Sequence, residues 1–179
     1  MNANFVYNLP FFAGQKGLEG RLLGGWELTG IVSFGSGLGL TPHAANVDPA
    51  GEGLLAGGAS ENGTARPDQI SNPNSGARHT RVAWFNTAAF AEVPTGQYRP
   101  GTSSIGSIIG PGYENWDMGL FKNVRIREGL TMELRAEAFN ALNHVNFSSV
   151  ATTLGLTNFG QVTGTGSPRV MQMAAKLTF

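Results

Sequence analysis

The chain has 179 residues, a formal net charge of +0, 13% charged residues, 26 glycines and no cysteine. Zero net charge removes the electrostatic argument for a nucleic-acid or anionic-surface partner, and the missing cysteines exclude a disulfide framework and thiol chemistry. The charged fraction is far below the ~25% of soluble domains, mean hydropathy is -0.09, and no apolar run nears the ~18 residues of a spanning helix; half-greasy, half-wet barrel strands suit all three.

The opening MNANFVYNLPFF has no basic n-region and no long apolar stretch, so it is not a secretory signal. Met1 is therefore expected to be an internal or truncated start of a longer protein, or the gene to be a fragment. From Asn4 to Leu9, Phe5, Tyr7 and Leu9 alternate with Asn4, Val6 and Asn8, a strand that Pro10 ends. A glycine-bearing turn is expected from Gly14 to Gly25. Trp26 to Ser36 reads as the next strand, with Trp26, Leu28, Val32 and Phe34 opposed by Glu27, Thr29 and Ser33. These two strands should form a hairpin closed on the short-turn side of a barrel.

From about Thr41 to Gly112 the periodicity dissolves into VDPAGEG, GGASENG and SNPNSGA. A loop of this length counts against a compact soluble domain, whereas the outer side of a large barrel accommodates it. Trp84, Phe85 and Phe90 are expected to fold part of it back onto the barrel mouth.

Strands resume at about Tyr113. The stretch Trp116 to Phe147 reads as two strands joined by a tight turn at Arg127-Glu128-Gly129. In the second strand Met132, Leu134, Ala136 and Ala138 share one face; Thr131, Glu133, Arg135 and Glu137 share the other. A helix competes, because Leu130, Leu134, Ala138 and Leu142 repeat at i, i+4 among strong helix formers. The hairpin is preferred: Trp116, Met118 and Leu120 alternate with Asp117, Gly119 and Phe121, and a glycine turn links the two runs. A shorter outer loop is expected from Asn143 to Ser167, and Pro168 begins the last strand. There Met171, Met173, Ala175, Leu177 and Phe179 form a continuous apolar stripe, with Gln172, Ala174, Lys176 and Thr178 opposite. The expectation is all-β and antiparallel: five strands, one long loop, one medium loop and two short turns.

No motif carries chemistry. Gly35-Ser36-Gly37-Leu38-Gly39 follows a strand but lacks the helix and acidic partner of a dinucleotide site, so close strand packing is the better reading. His43, His79 and His144 lack metal-ligand spacing, and Asp48, Glu52 and Glu61 lack the calcium-loop pattern. No Gly-x-Ser-x-Gly elbow is present, which leaves an esterase-like reading without a motif. Asn62-Gly63-Thr64 and Asn146-Phe147-Ser148 fit the glycosylation pattern and read as coincidences. No enzymatic site, cofactor or metal is expected.

NWDMGLFKN (Asn115 to Asn123), LRAEAFNALNHVNF (Leu134 to Phe147) and PRVMQMAAKLTF (Pro168 to Phe179) resemble the C-terminal end of TonB-dependent outer-membrane receptors. The closest subgroup carries a carboxypeptidase-regulatory-like domain at its N-terminus. YNLPF (Tyr7 to Phe11), LLGGWELTGIVSFGSGLGLTP (Leu22 to Pro42), RPD (Arg66 to Asp68) and WFNTAAF (Trp84 to Phe90) follow in that subgroup's order, so the likeness covers nearly the whole chain. Plug domain, TonB-contacting box and signal peptide are not in the sequence.

The resemblance implies that residues 1–179 are the C-terminal portion of a receptor barrel in the cell outer membrane. The implied activity is energised uptake of an oligosaccharide, peptide or metal complex. The implied partners are membrane lipid, the remaining barrel and plug, the TonB system and the outer-membrane insertion machinery, which reads a terminal aromatic such as Phe179. In such a wall Met132, Leu134, Ala136 and Ala138 should face lipid. Asp117, Glu133, Arg135 and Glu137 should line the lumen, where they could pair with a plug or substrate; a cross-strand ion ladder is the simpler reading. The rival is a soluble, secreted β-rich binding module that uses the 41–112 loop for recognition.

Overall fold

Alternating apolar and polar residues commit this chain to strands, and the register of those strands determines which side chains share a face. The computed structural model describes residues 1–45 and 65–179. Asp48, Glu52, Glu61 and the Asn62-Gly63-Thr64 acceptor lie outside the described residues. The chain divides into two units: Met1–Gly35, Tyr113–Asn146 and Ser167–Phe179 form the first, and Ser36–Gly112 and Phe147–Gly166 the second.

The first unit is an antiparallel five-stranded sheet whose strands neighbour one another in chain order. They are β1 (Asn2–Asn8), β2 (Trp26–Gly35), β3 (Tyr113–Arg127), β4 (Leu130–Phe139) and β5 (Val170–Thr178). The helical alternative for β4 is overruled by pairing on both sides. Leu120 stands opposite Ala136 in one ladder, and Met173 opposite Ala136 in the other. Every residue of β1 and β5 is exposed, so the sheet ends on two edges without a partner among the described residues.

The β3–β4 connection is the tight turn expected, with Gly129 in left-handed backbone at φ 74°. The β1–β2 connection corrects the expected simple turn, because it contains a short helix, α1 (Gly17–Leu23). Its leucines recur at 18, 22 and 23 without a run long enough to show helical period. Beyond β2's first residue, the β2-side edge of β3 is met by the Gly25 carbonyl, which accepts from the Asn123 N–H at 2.8 Å, and then by Gln15. Its side-chain amide donates to the Asn123 carbonyl at 2.7 Å and accepts from the Arg125 N–H at 3.3 Å. The two short connections lie at one end of the sheet, together with Thr178, which pairs with Thr131. Both long connections leave from the other end, after Gly35 and after Phe139.

Within the second unit, in the described part of the long loop (residues 41–45 and 65–112), the structure adds short strands and a buried cluster that left no period in the sequence. Trp84, Phe85, Ala89, Phe90 and Ile108 are buried together, with Leu40, Phe147, Phe159 and Val162 packed around them. Phe85, Phe90 and Phe159 meet edge to face at 5.2 to 6.1 Å, and Trp84 meets Phe147 at 5.9 Å. The aromatics expected at the barrel mouth thus have the unit's own residues as their burial partners. The second loop joins them through a hairpin of Phe147–Val150 with Val162–Thr165. Most other strands of this unit are two residues long, too short to leave a period in the sequence.

Candidate functional site

Register carries the alternation of each strand across the whole sheet and gives it two chemically distinct faces. On one face a row runs Tyr7, Leu28, Leu120, Ala136, Met173 from edge to edge. The next row runs Phe5, Gly30, Met118, Ala138, Met171. Gly30 keeps space for the Phe5 ring: a Cβ there would lie 2.3 Å from it. Met132, Leu134, Ala136 and Ala138 all belong to this apolar face.

Its two charged residues stand near its ends. Lys122 donates to the Gly24 carbonyl and lies 4.9 Å over the Trp26 ring. Glu114 accepts from the Trp116 indole at 3.0 Å, and Trp116 meets Phe34 edge to face at 6.2 Å. Trp26 and Phe34 are thus aromatic markers of the two rims. Their separation is roughly 27 Å along the strand at ~3.4 Å per residue, or about 20 Å of height at the ~40° tilt of barrel strands. That approximates the apolar band of a membrane barrel.

The opposite face carries the four singled-out charges, beside the row Val6, Thr29, Gly119, Glu137, Gln172. Their bonding differs from a cross-strand ion ladder. Arg135 pairs with Glu133 two residues away on its own strand and lies 5.7 Å over the Phe121 ring on β3. Glu137 reaches across to β5 and accepts from the Gln172 amide at 2.6 Å. Asp117 pairs with no cation among the described residues; its carboxylate accepts from the Asn140 N–H at 2.9 Å, at the end of β4. Lys176 stands opposite Glu133 in register without closing an ion pair. Asn4, Thr29, Asp117, Gly119 and Glu137 line a shallow cavity of about 290 Å³ on the sheet.

Several residues that organise the ends of the sheet carry no motif. Asn140 takes positive φ (49°), donates to the His144 and Ser167 carbonyls, and accepts from the His144 N–H. Asn146 pairs with the Glu114 backbone in both directions at 2.8 Å, which gives its side chain a structural task. The local signal for both is an asparagine that recurs at 140, 143 and 146 after a strand.

In the second unit RPD becomes an anchor. Arg66 donates to the Ser103 carbonyl at 2.8 Å, and Asp68 accepts a two-pronged bond from Arg99 at 2.6 and 2.7 Å. The Arg99 guanidinium, helped by the Thr102 N–H, holds the Asp68 carboxyl down at about 2 against the opposing effect of burial. The histidines do not converge. His43 lies in a two-residue parallel bridge with Thr153, the His79 ring meets Trp84 at 5.0 Å, and His144 engages Asn140 through its backbone. No metal-ligating group forms among the described residues. The glycines after β2 serve close packing, since a Cβ on Gly37 would lie 1.7 Å from the Gly110 carbonyl oxygen.

A sheet with one apolar face, one charged face, aromatic rims and sorted connections is a segment of membrane barrel wall. The family model described as Outer membrane beta barrel domain matches residues 1–172. The chain belongs to that family. The outer membrane is accordingly its location, and membrane lipid is its surrounding medium. Neither a curated protein nor a solved structure matches the chain.

Proposed function

We propose that this outer-membrane barrel domain is the C-terminal wall of a TonB-dependent receptor that takes up a small ligand, such as an oligosaccharide, a peptide or a metal complex, across the outer membrane. The observation that carries the reading is the pair of open sheet edges. Five strands cannot close on themselves, and β1 and β5 each present a full row of unpaired backbone groups among the described residues. A large barrel of about 22 strands with a plugged lumen supplies both partners. The family-like phrases NWDMGLFKN, LRAEAFNALNHVNF and PRVMQMAAKLTF fall on β3, β4 and β5 and their flanks, which gives the same direction.

In this reading the face of Met132, Leu134, Ala136 and Ala138 meets lipid. Asp117, Glu133, Arg135 and Glu137 line the lumen opposite a plug. Phe179, which lies just beyond β5 and is 99% exposed, is the aromatic that the family resemblance assigns to the insertion machinery. It acts in assembly, so Phe179→Ala should lower outer-membrane levels without changing ligand affinity per inserted molecule. No enzymatic role is assigned. A soluble secreted module does not fit a chain of an outer-membrane family.

The test is made on the full-length protein that carries this wall, extracted in detergent. It should retain the periplasmic domain of TonB on an affinity column. Retention supports the receptor reading; a detergent-extracted barrel that never binds that domain, and conducts ions as an open pore in planar bilayers, contradicts it.

A further inference from the structure

The segment that joins β1 to β2 leaves a group of large apolar side chains in the open. Phe11 is 62% exposed, Leu18 76% and Leu22 60%, with Phe12 and Leu23 above half. A connection facing only water would not place five such residues together within thirteen positions.

Two hydrogen bonds fix where this segment lies. The Trp26 indole, on the apolar face of the sheet, donates to the Leu22 carbonyl at 3.1 Å. The Lys122 ammonium, on the same face, donates to the Gly24 carbonyl. The end of α1 is thereby tied to the rim of the face that meets lipid, and Leu22 and Leu23 beside that tie are more than half exposed. Lys122 also becomes a charge that turns back to a carbonyl at the membrane boundary while its stem covers Trp26. The other side of the segment is cationic: Arg21, Arg125 and Arg127 line a cavity of about 470 Å³ with Gln15 and Glu128. None of the three arginines has a carboxylate partner among the described residues.

We propose that the segment from Phe11 to Leu23 is an interfacial foot, seated in the headgroup–acyl boundary of the leaflet at the short-turn end of the barrel. Its occupant is the lipid surface itself, by continuity with the apolar face: leucine and phenylalanine side chains enter the acyl region, while the arginine-lined cavity, which includes Thr131, belongs to the charged side of the sheet. The foot therefore fixes the depth and tilt of the β1–β2 hairpin. The inference rests on the lipid-facing assignment of Met132, Leu134 and Met173, so the experiment carries a control for that assignment.

The chain has no native cysteine, which makes single spin labels clean. Leu18→Cys and Leu22→Cys, with Met173→Cys as the lipid-face control and Glu128→Cys as the water control, are labelled in the protein reconstituted into phosphatidylethanolamine–phosphatidylglycerol vesicles. Collision with oxygen, relative to a water-soluble nickel chelate, is then measured. Labels at 18 and 22 should give a ratio severalfold above that at 128 and approaching that at 173. A ratio at 18 and 22 equal to that at 128, with 173 still lipid-exposed, overturns the foot alone. A water-like ratio at 173 overturns the lipid-face assignment beneath it, and the foot with it.

Discussion

Asp68 and Arg99 show how one side-chain pair holds a region that has little regular structure. Arg99 clamps the carboxylate through two bonds, and Thr102 adds a third through its N–H. The folded-state value of about 2 lies below the ordinary 3.8, so the pair's contribution is fully present above pH 3.8. It is lost as pH falls from 3.8 through about 2. Carboxyl-carbon NMR should therefore give Asp68 a midpoint near 2 in the native protein, returning towards 3.8 in Arg99→Gln. A native midpoint already at 3.8 would show that the clamp is not formed. The pair was not legible in the sequence, because residues 68 and 99 are brought together only by the fold of the second unit. Lys122 is a different case. Strand parity alone places it on the apolar face, and its exception is explained only by the carbonyl of Gly24 and the ring of Trp26. Asp117, Glu133, Arg135 and Glu137 were placed on the opposite face by parity, but their partners were not legible. Arg135 chose a neighbour on its own strand, and Asp117 took a backbone N–H in place of a cation.

At the scale of elements, legibility followed length. The five strands of the sheet run 7 to 15 residues, enough for period two to separate a greasy face from a wet one. The hairpin of β3 and β4 with its tight turn at Gly129 was legible from alternation and the turn glycine, whereas the pairing of β2 with β3 and of β4 with β5 comes from the structure. The helix α1 was not legible, because seven residues with two glycines carry little helical signal. Nor was the second unit, whose order comes from aromatic burial and from side chains bonded to backbone, as when Asn86 accepts from Ala88 N–H at 3.2 Å. The β3–β4 turn gives this scale its prediction. Gly129→Ala forces a Cβ into left-handed backbone, at a cost of roughly 1 kcal/mol. Gly129→Asn, which tolerates that region better, should cost less. Urea unfolding of the protein in vesicles reads both, and equal stability of the alanine variant and the native chain would show that the turn relaxes to another type.

For the whole molecule the decisive feature is what the sheet leaves uncovered. Leu134, Met171, Met173 and Leu177 are 40 to 82% exposed on one face, and both sheet edges are open among the described residues. Hydrophobic burial cannot hold this arrangement together in water; lipid or detergent must supply the missing solvent and neighbouring strands the missing partners. Expressed alone, the chain should elute as aggregate without detergent. A sharp monomer peak in plain buffer, with a cooperative melt, would oppose the wall assignment.

The most direct measurement of that assignment is a cysteine scan of Thr131 to Ala138 in the membrane-inserted protein, each position challenged with a membrane-impermeant maleimide. The account predicts modification with period two: Thr131, Glu133, Arg135 and Glu137 react, while Met132, Leu134, Ala136 and Ala138 are protected by lipid. Reactivity without alternation, or with the two sets exchanged, would contradict it.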